Sequence, residues 1–132
     1  MKKLKVLVVA SAMMMIMATT AYAATATFSG ILPAYQGDTE VSTVARAHDS
    51  TSYKYFTITI TSLGTGYDSV RAWTENTLGG NLSDPFKQVS KNVQTNVYYT
   101  TVPSMGTNVV LNLDNPVYTS ESVSVGGTWT PN

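Results

Sequence analysis

Aromatic side chains in predicted strands are the residues of this chain best suited to contacting a ligand. Tyr53, Tyr55 and Trp73 lie in segments rich in Thr, Val and Ile. Tyrosine and tryptophan combine an apolar ring with a polar edge, so on an exposed sheet they can stack on a sugar or contact a protein. We therefore predict Tyr53, Tyr55 and Trp73 as binding residues on one outer face of a β-sheet. The alternative is that these residues only stabilise the sheet through cross-strand pairs.

Acid–base chemistry has little support in the sequence. His48 is the only histidine, and Asp49 and Ser50 follow it directly. A Ser-His-Asp site needs the imidazole between two groups that converge from separate elements, which neighbours on one turn do not provide. We interpret His48 as a solvated turn residue and predict that the protein is not an enzyme and uses no cofactor.

Metal chemistry is equally weak. Zinc is disfavoured because there is no cysteine and only one histidine. Calcium needs only oxygen ligands. Some of them could come from Asp38 and Glu40, or from Asp114 with Asn112 and Asn115. Neither cluster has the spacing of an EF-hand loop, and such residues beside Gly or Pro commonly shape turns. We predict no metal site, and a structural calcium remains the alternative.

The first 23 residues have the layout of a secretory signal peptide. Lys2, Lys3 and Lys5 precede an apolar run over 6–18, and Ala21-Tyr22-Ala23 offers small residues where a signal peptidase reads them. We predict a signal peptide over 1–23 and one secreted domain over 24–132, with no stable membrane anchor after cleavage. A retained N-terminal anchor is the alternative.

The charge and cysteine content of residues 24–132 limit the kinds of partner and of source organism. Five basic and eight acidic residues remain there, a formal net charge of −3. The few cations are scattered, so the sequence predicts no nucleic-acid partner and no binding to anionic lipid. An exported domain without cysteine is more typical of bacteria than of eukaryotes.

The clearest strand is 53–63, in which Phe56, Ile58 and Ile60 alternate with polar residues and are predicted to face a core. About seven to eight short strands, separated by Gly, Pro and Asn turns, predict an all-β fold, a single antiparallel β-sandwich of immunoglobulin-like or jelly-roll-like type. After the turn at 64–66, the strand 69–74 is expected to pair with 53–63, which would place Trp73 beside the tyrosines. Trp129, in the last strand, is predicted to face inward.

One resemblance to known proteins lies in the closing segment, Val123-Ser124-Val125-Gly126-Gly127-Thr128-Trp129-Thr130. It resembles the C-terminal Val-x-Gly-x-Trp strand of small secreted, cysteine-free, β-rich proteins of Gram-positive bacteria, and differs by one extra glycine. Those proteins have no assigned biochemical role. The chain is also similar to lactococcin 972-type bacteriocins in being exported, cysteine-free and Tyr-rich. Neither resemblance assigns a function to a residue.

These observations favour a secreted bacterial β-sandwich that binds a partner at or outside the cell envelope. The expected partner is a cell-envelope glycan, a protein, or a second copy of the chain. The alternative is a bacteriocin-like antimicrobial or toxin-like polypeptide.

Overall fold

A computed structural model describes residues 24–48 and 52–132 of the chain. The predicted signal peptide lies outside the described residues, as do Asp49 and Ser50 beside the single histidine.

The described residues form eight β-strands and no α-helix, which confirms the all-β prediction. One short 3₁₀ segment, Ala34–Gln36, lies between the first two strands. The strands are β1 (Ala26–Leu32), β2 (Thr39–Ala45), β3 (Tyr55–Leu63), β4 (Ser69–Glu75), β5 (Gln88–Ser90), β6 (Thr95–Tyr98), β7 (Asn108–Asp114) and β8 (Val123–Thr130).

Two four-stranded antiparallel sheets make up the sandwich. The first sheet has the order β1-β8-β3-β6 and the second the order β2-β7-β4-β5. Strands therefore pair as β1 with β8, β2 with β7, β3 with β6 and β4 with β5. This nested pairing is the order of an eight-stranded jelly roll, the second of the two predicted sandwich types. Every connection except β4 to β5 passes from one sheet to the other.

The predicted pairing of β3 with β4 is wrong. β3 lies between β8 and β6 in the first sheet, whereas β4 lies between β7 and β5 in the second. The turn at 64–66 takes the chain over the end of the sandwich, and Gly66 there has a φ of 88°, which favours glycine. Glycines mark a reversal of the chain but do not determine which sheet the next strand joins.

The core lies between the two sheets. Phe56, Ile58 and Ile60 are at most 1% exposed, so the predicted alternation of β3 is confirmed. Trp129 is also 1% exposed, as predicted, and its ring meets Phe56 edge-on with centroids 6.2 Å apart. Its Nε1 donates to Ser42 Oγ of β2 at 2.8 Å, so the indole contacts both sheets.

Strand β8 approaches β3 unusually closely at one glycine. The β3–β8 register shifts between Ile60 and Ser62, which marks an irregularity opposite the double glycine of β8. A Cβ atom on Gly127 would lie 2.1 Å from the carbonyl oxygen of Thr59 and 3.0 Å from the ring of Phe28. Only glycine fits at this position without moving the backbone of β3.

We expect Gly127→Ala to lower the free energy of unfolding by about 3 kcal/mol, because the new methyl group would overlap a strand carbonyl that is fixed by pairing. Gly126→Ala is the matched control, since its Cβ would first meet the Ser62 hydroxyl at 3.0 Å, a side chain that can rotate. Urea unfolding followed by tryptophan fluorescence measures both losses. Equal losses for the two variants would contradict the close approach at Gly127.

Candidate functional site

Three tyrosines form an exposed aromatic group on the outer face of the first sheet. We call Tyr53, Tyr55 and Tyr98 the tyrosine group. Tyr55 and Tyr98 are cross-strand partners on β3 and β6, with ring centroids 5.6 Å apart and rings inclined by 64°. Tyr53 meets Tyr55 edge-on at 6.2 Å, and His48 lies against Tyr53 at 4.2 Å. Tyr98 is 66% exposed and Tyr53 37% exposed, so their rings are accessible.

The structure thus brings two of the three predicted binding residues together. Tyr53 and Tyr55 lie side by side, and Tyr98 joins them through the pairing of β3 with β6. In the sequence, Tyr98 is one of several tyrosines on predicted strands. Only the register of β6 against β3 identifies it as a neighbour of Tyr55.

Trp73 does not belong to this group, and the prediction that it shares their face is wrong. It lies on β4 of the second sheet, is 5% exposed, and is the cross-strand partner of Asn112. Its Nε1 donates to Glu75 Oε1 at 2.8 Å. The error follows from the incorrect pairing of β3 with β4, because alternation fixes the two faces of a strand but not the sheet that contains it.

Next to the tyrosine group, threonine hydroxyl groups of β3 and β8 line the outer face of the first sheet. Thr57 aligns with Thr130 and Thr59 with Thr128, so the threonines form two ranks across the strands. Thr57 Oγ1 donates to Asn96 Oδ1 at 2.9 Å. Such side chains both donate and accept hydrogen bonds.

A shallow depression of about 150 Å³ opens between these ranks. The volume is below the roughly 300–1,000 Å³ of pockets that enclose a drug-sized ligand, so it suits one small polar ring of a longer molecule. Side chains with hydroxyl or amide groups predominate in the lining, and none is charged. The lining residues are Thr25, Thr57, Thr59, Gln94, Thr128, Trp129 and Thr130.

The outer face of the second sheet carries an ion pair. Arg71 Nε and Nη2 donate to Asp114 Oδ1 and Oδ2, each at 2.6 Å, and the guanidinium lies 5.7 Å from the centroid of the Phe86 ring. Burial raises the pKa of Asp114, the hydrogen bonds from Arg71 oppose the rise, and the charge of Asp38 adds to it. Both oxygens that a calcium ion would need from Asp114 therefore accept from Arg71. Within 24–48 and 52–132, no three His, Asp or Glu side chains gather as a metal site would require.

Arg46 holds the backbone at Tyr53, one member of the tyrosine group, although nothing in the sequence distinguishes it from the other cations. Its side chain is fully buried, and Nε donates to the main-chain oxygen of Asn132 at 2.7 Å. The guanidinium also donates to the carbonyls of Pro103 and Tyr53. It lies 5.7 Å from the ring centroid of Tyr99, whose pKa is raised by burial, an effect that the charge of Arg46 opposes.

No protein family, curated protein or solved structure matches the chain. The part of the chain that the structure describes has no helix with the length and apolar character needed to cross a membrane.

We expect Arg46→Met to lower the free energy of unfolding by roughly 4–5 kcal/mol, because three main-chain oxygens lose a charged donor at about 1.5 kcal/mol each. Lys54→Met is the control, since it removes a cation from an exposed side chain at the same end of the sandwich. Thermal unfolding compares the two variants. A loss no greater than that of Lys54→Met would show that Arg46 does not hold this end together.

Proposed function

We propose that the protein is an exported, non-enzymatic binding protein that acts at or outside the bacterial cell envelope, and that its ligand is a neutral glycan. The observation that carries the proposal is the uncharged outer face of the first sheet. There the exposed tyrosine group adjoins a depression lined by hydroxyl groups. The signal-peptide layout of residues 1–23 supports export.

The face combines the two kinds of contact that a sugar offers. A pyranose ring has apolar C–H surfaces, which pack on aromatic rings, and a rim of hydroxyl groups. Tyr55 and Tyr98 supply the aromatic surface, and Thr57 and Thr59 begin the hydrogen-bonding surface on the same strand. A chain of sugars could lie across both, with one ring in the depression.

The composition of this surface favours neutral glycans over anionic ones. The lining of the depression and the tyrosine group contain no carboxylate, ammonium or guanidinium side chain. Lys54, between Tyr53 and Tyr55, is the exposed cation beside this surface, and it would offer an anionic polymer a single counter-charge on a domain whose residues 24–132 carry a net charge of −3. A neutral polysaccharide forms its hydrogen bonds on this face without burying an unpaired charge.

The binding surface is held in place before a ligand arrives. Tyr53 is fixed by the hydrogen bond from Arg46 to its carbonyl and by its contacts with His48 and Tyr55. Fixed side chains lose less conformational entropy on binding. The face is nevertheless shallow, so we expect dissociation constants of roughly 10 µM to 1 mM for oligosaccharides.

Tyr98→Ala is expected to weaken binding to a neutral polysaccharide by about tenfold, or ~1.4 kcal/mol, because it removes the most exposed ring of the group. Affinity electrophoresis against soluble β-glucan, mannan and glycol chitin measures the effect. Tyr118→Ala is the control, since Tyr118 is 69% exposed but lies at the other end of the sandwich. If none of the three polymers retards the protein, or if both variants lose affinity equally, the proposed site is incorrect.

Thr59→Val is expected to weaken the same binding by about threefold to tenfold, because it keeps the β-branched shape but removes a hydroxyl from the depression. Thr61→Val is the matched control on the same strand, outside the residues that line the depression. Isothermal titration with a bound oligosaccharide compares the two. Unchanged affinity in Thr59→Val would exclude the depression from the site.

A further inference from the structure

We propose that the opposite end of the sandwich is a second binding surface, which takes a lysine- or arginine-bearing segment of another protein. This surface, the acidic end, is formed by the loops 33–38, 64–68 and 115–122. These loops follow the ends of β1, β3 and β7, which the antiparallel registers bring to one end of the molecule. None of its residues belongs to the tyrosine group or to the lining of the depression, which together form the proposed glycan face.

Two exposed tyrosines from different loops pack together at the acidic end. Tyr35 is 58% exposed and Tyr118 is 69% exposed, and their ring centroids are 5.3 Å apart at an angle of 49°. Rigid, solvent-facing tyrosines are typical of the residues that dominate protein interfaces. The pair therefore offers a ready aromatic platform.

The backbone beneath this platform is strained and firmly held. Tyr35 and Gln36 have φ values of 61° and 59°, a left-handed conformation that is unfavourable for residues other than glycine. The Tyr35 amide donates to the Thr119 carbonyl at 2.7 Å, and Gln36 Nε2 donates to the Pro116 carbonyl at 2.9 Å. Thr119 Oγ1 also lies 3.3 Å from the hydroxyl of Tyr67. Strain of this kind is often kept where a surface has a function.

The carboxylates at this end favour a positively charged partner. Asp38, Asp68 and Glu121 are exposed carboxylates in the three loops. Two cations adjoin these loops: Arg71 is paired with Asp114, and Lys91 donates its backbone amide to the carbonyl of Asp68 at 2.7 Å. Asp38 and Glu121, each three residues from a tyrosine of the pair, are the carboxylates that a partner would meet beside the rings. A lysine or arginine side chain would make two favourable contacts here, since its cation can lie over a tyrosine ring and also interact with a carboxylate of the same loops.

The test uses a fluorescein-labelled peptide of eight residues in which lysine and glycine alternate, and the same peptide with acetylated lysines. Fluorescence anisotropy on the full secreted domain should show binding of the lysine peptide only. The double variant Tyr35→Asn/Tyr118→Ser should bind about tenfold more weakly through the loss of both rings. Asparagine is chosen at position 35 because it tolerates positive φ.

Paired charge variants separate this surface from general attraction between opposite charges. Asp38→Asn/Glu121→Gln removes two carboxylates from the acidic end, and Glu75→Gln/Asp84→Asn removes two outside its three loops. The first should weaken binding by about tenfold and the second by less than about twofold. Equal losses in the two charge variants, or full affinity in the tyrosine variant with an unchanged melting temperature, would overturn the proposal. Tyr98→Ala should leave peptide binding intact, so the acidic end is tested independently of the glycan face.

Discussion

The buried guanidinium of Arg46 is the constraint on which the tyrosine end of this molecule depends. A cation removed from water is stable only where hydrogen-bond acceptors surround it. Here main-chain oxygens of Tyr53, Pro103 and Asn132 accept from it, and these three residues are far apart in the chain. In a protein without a disulfide, this hub joins the start of β3, the connection between β6 and β7, and the end of the last strand.

The jelly-roll connections give the two outer faces different chemistry. Because nearly every connection crosses between sheets, strands that are neighbours in sequence contribute to different faces. The first sheet presents the tyrosine group and threonine ranks without charge, whereas the second presents the Arg71–Asp114 ion pair. The same crossing separates Trp73 from Tyr53 and Tyr55. One neutral face on an otherwise acidic domain is what suggests a neutral ligand.

The sequence was sufficient for features that depend on local alternation. It predicted that Phe56, Ile58 and Ile60 face the core, that Trp129 is buried, and that the fold is an antiparallel sandwich. It could not predict features that depend on which strands pair. The main error is therefore the predicted pairing of β4 with β3, since β4 pairs with β5 and β7.

Two residues important for the candidate site were missed for the same reason. Tyr98 acquires its role only through the register of β6 against β3, and Arg46 only through carbonyls that come from distant segments. Nothing within a few positions of either residue indicates those contacts.

The most direct test of the proposed glycan face is nuclear magnetic resonance with a neutral oligosaccharide that binds the protein. Titration should shift the ring signals of Tyr55 and Tyr98 and the amides of β3 and β8 around Thr59 and Thr128. The signals of Trp73 and its neighbours in the second sheet should stay unchanged. Shifts that cluster around Trp73, with an unperturbed tyrosine group, would contradict the account.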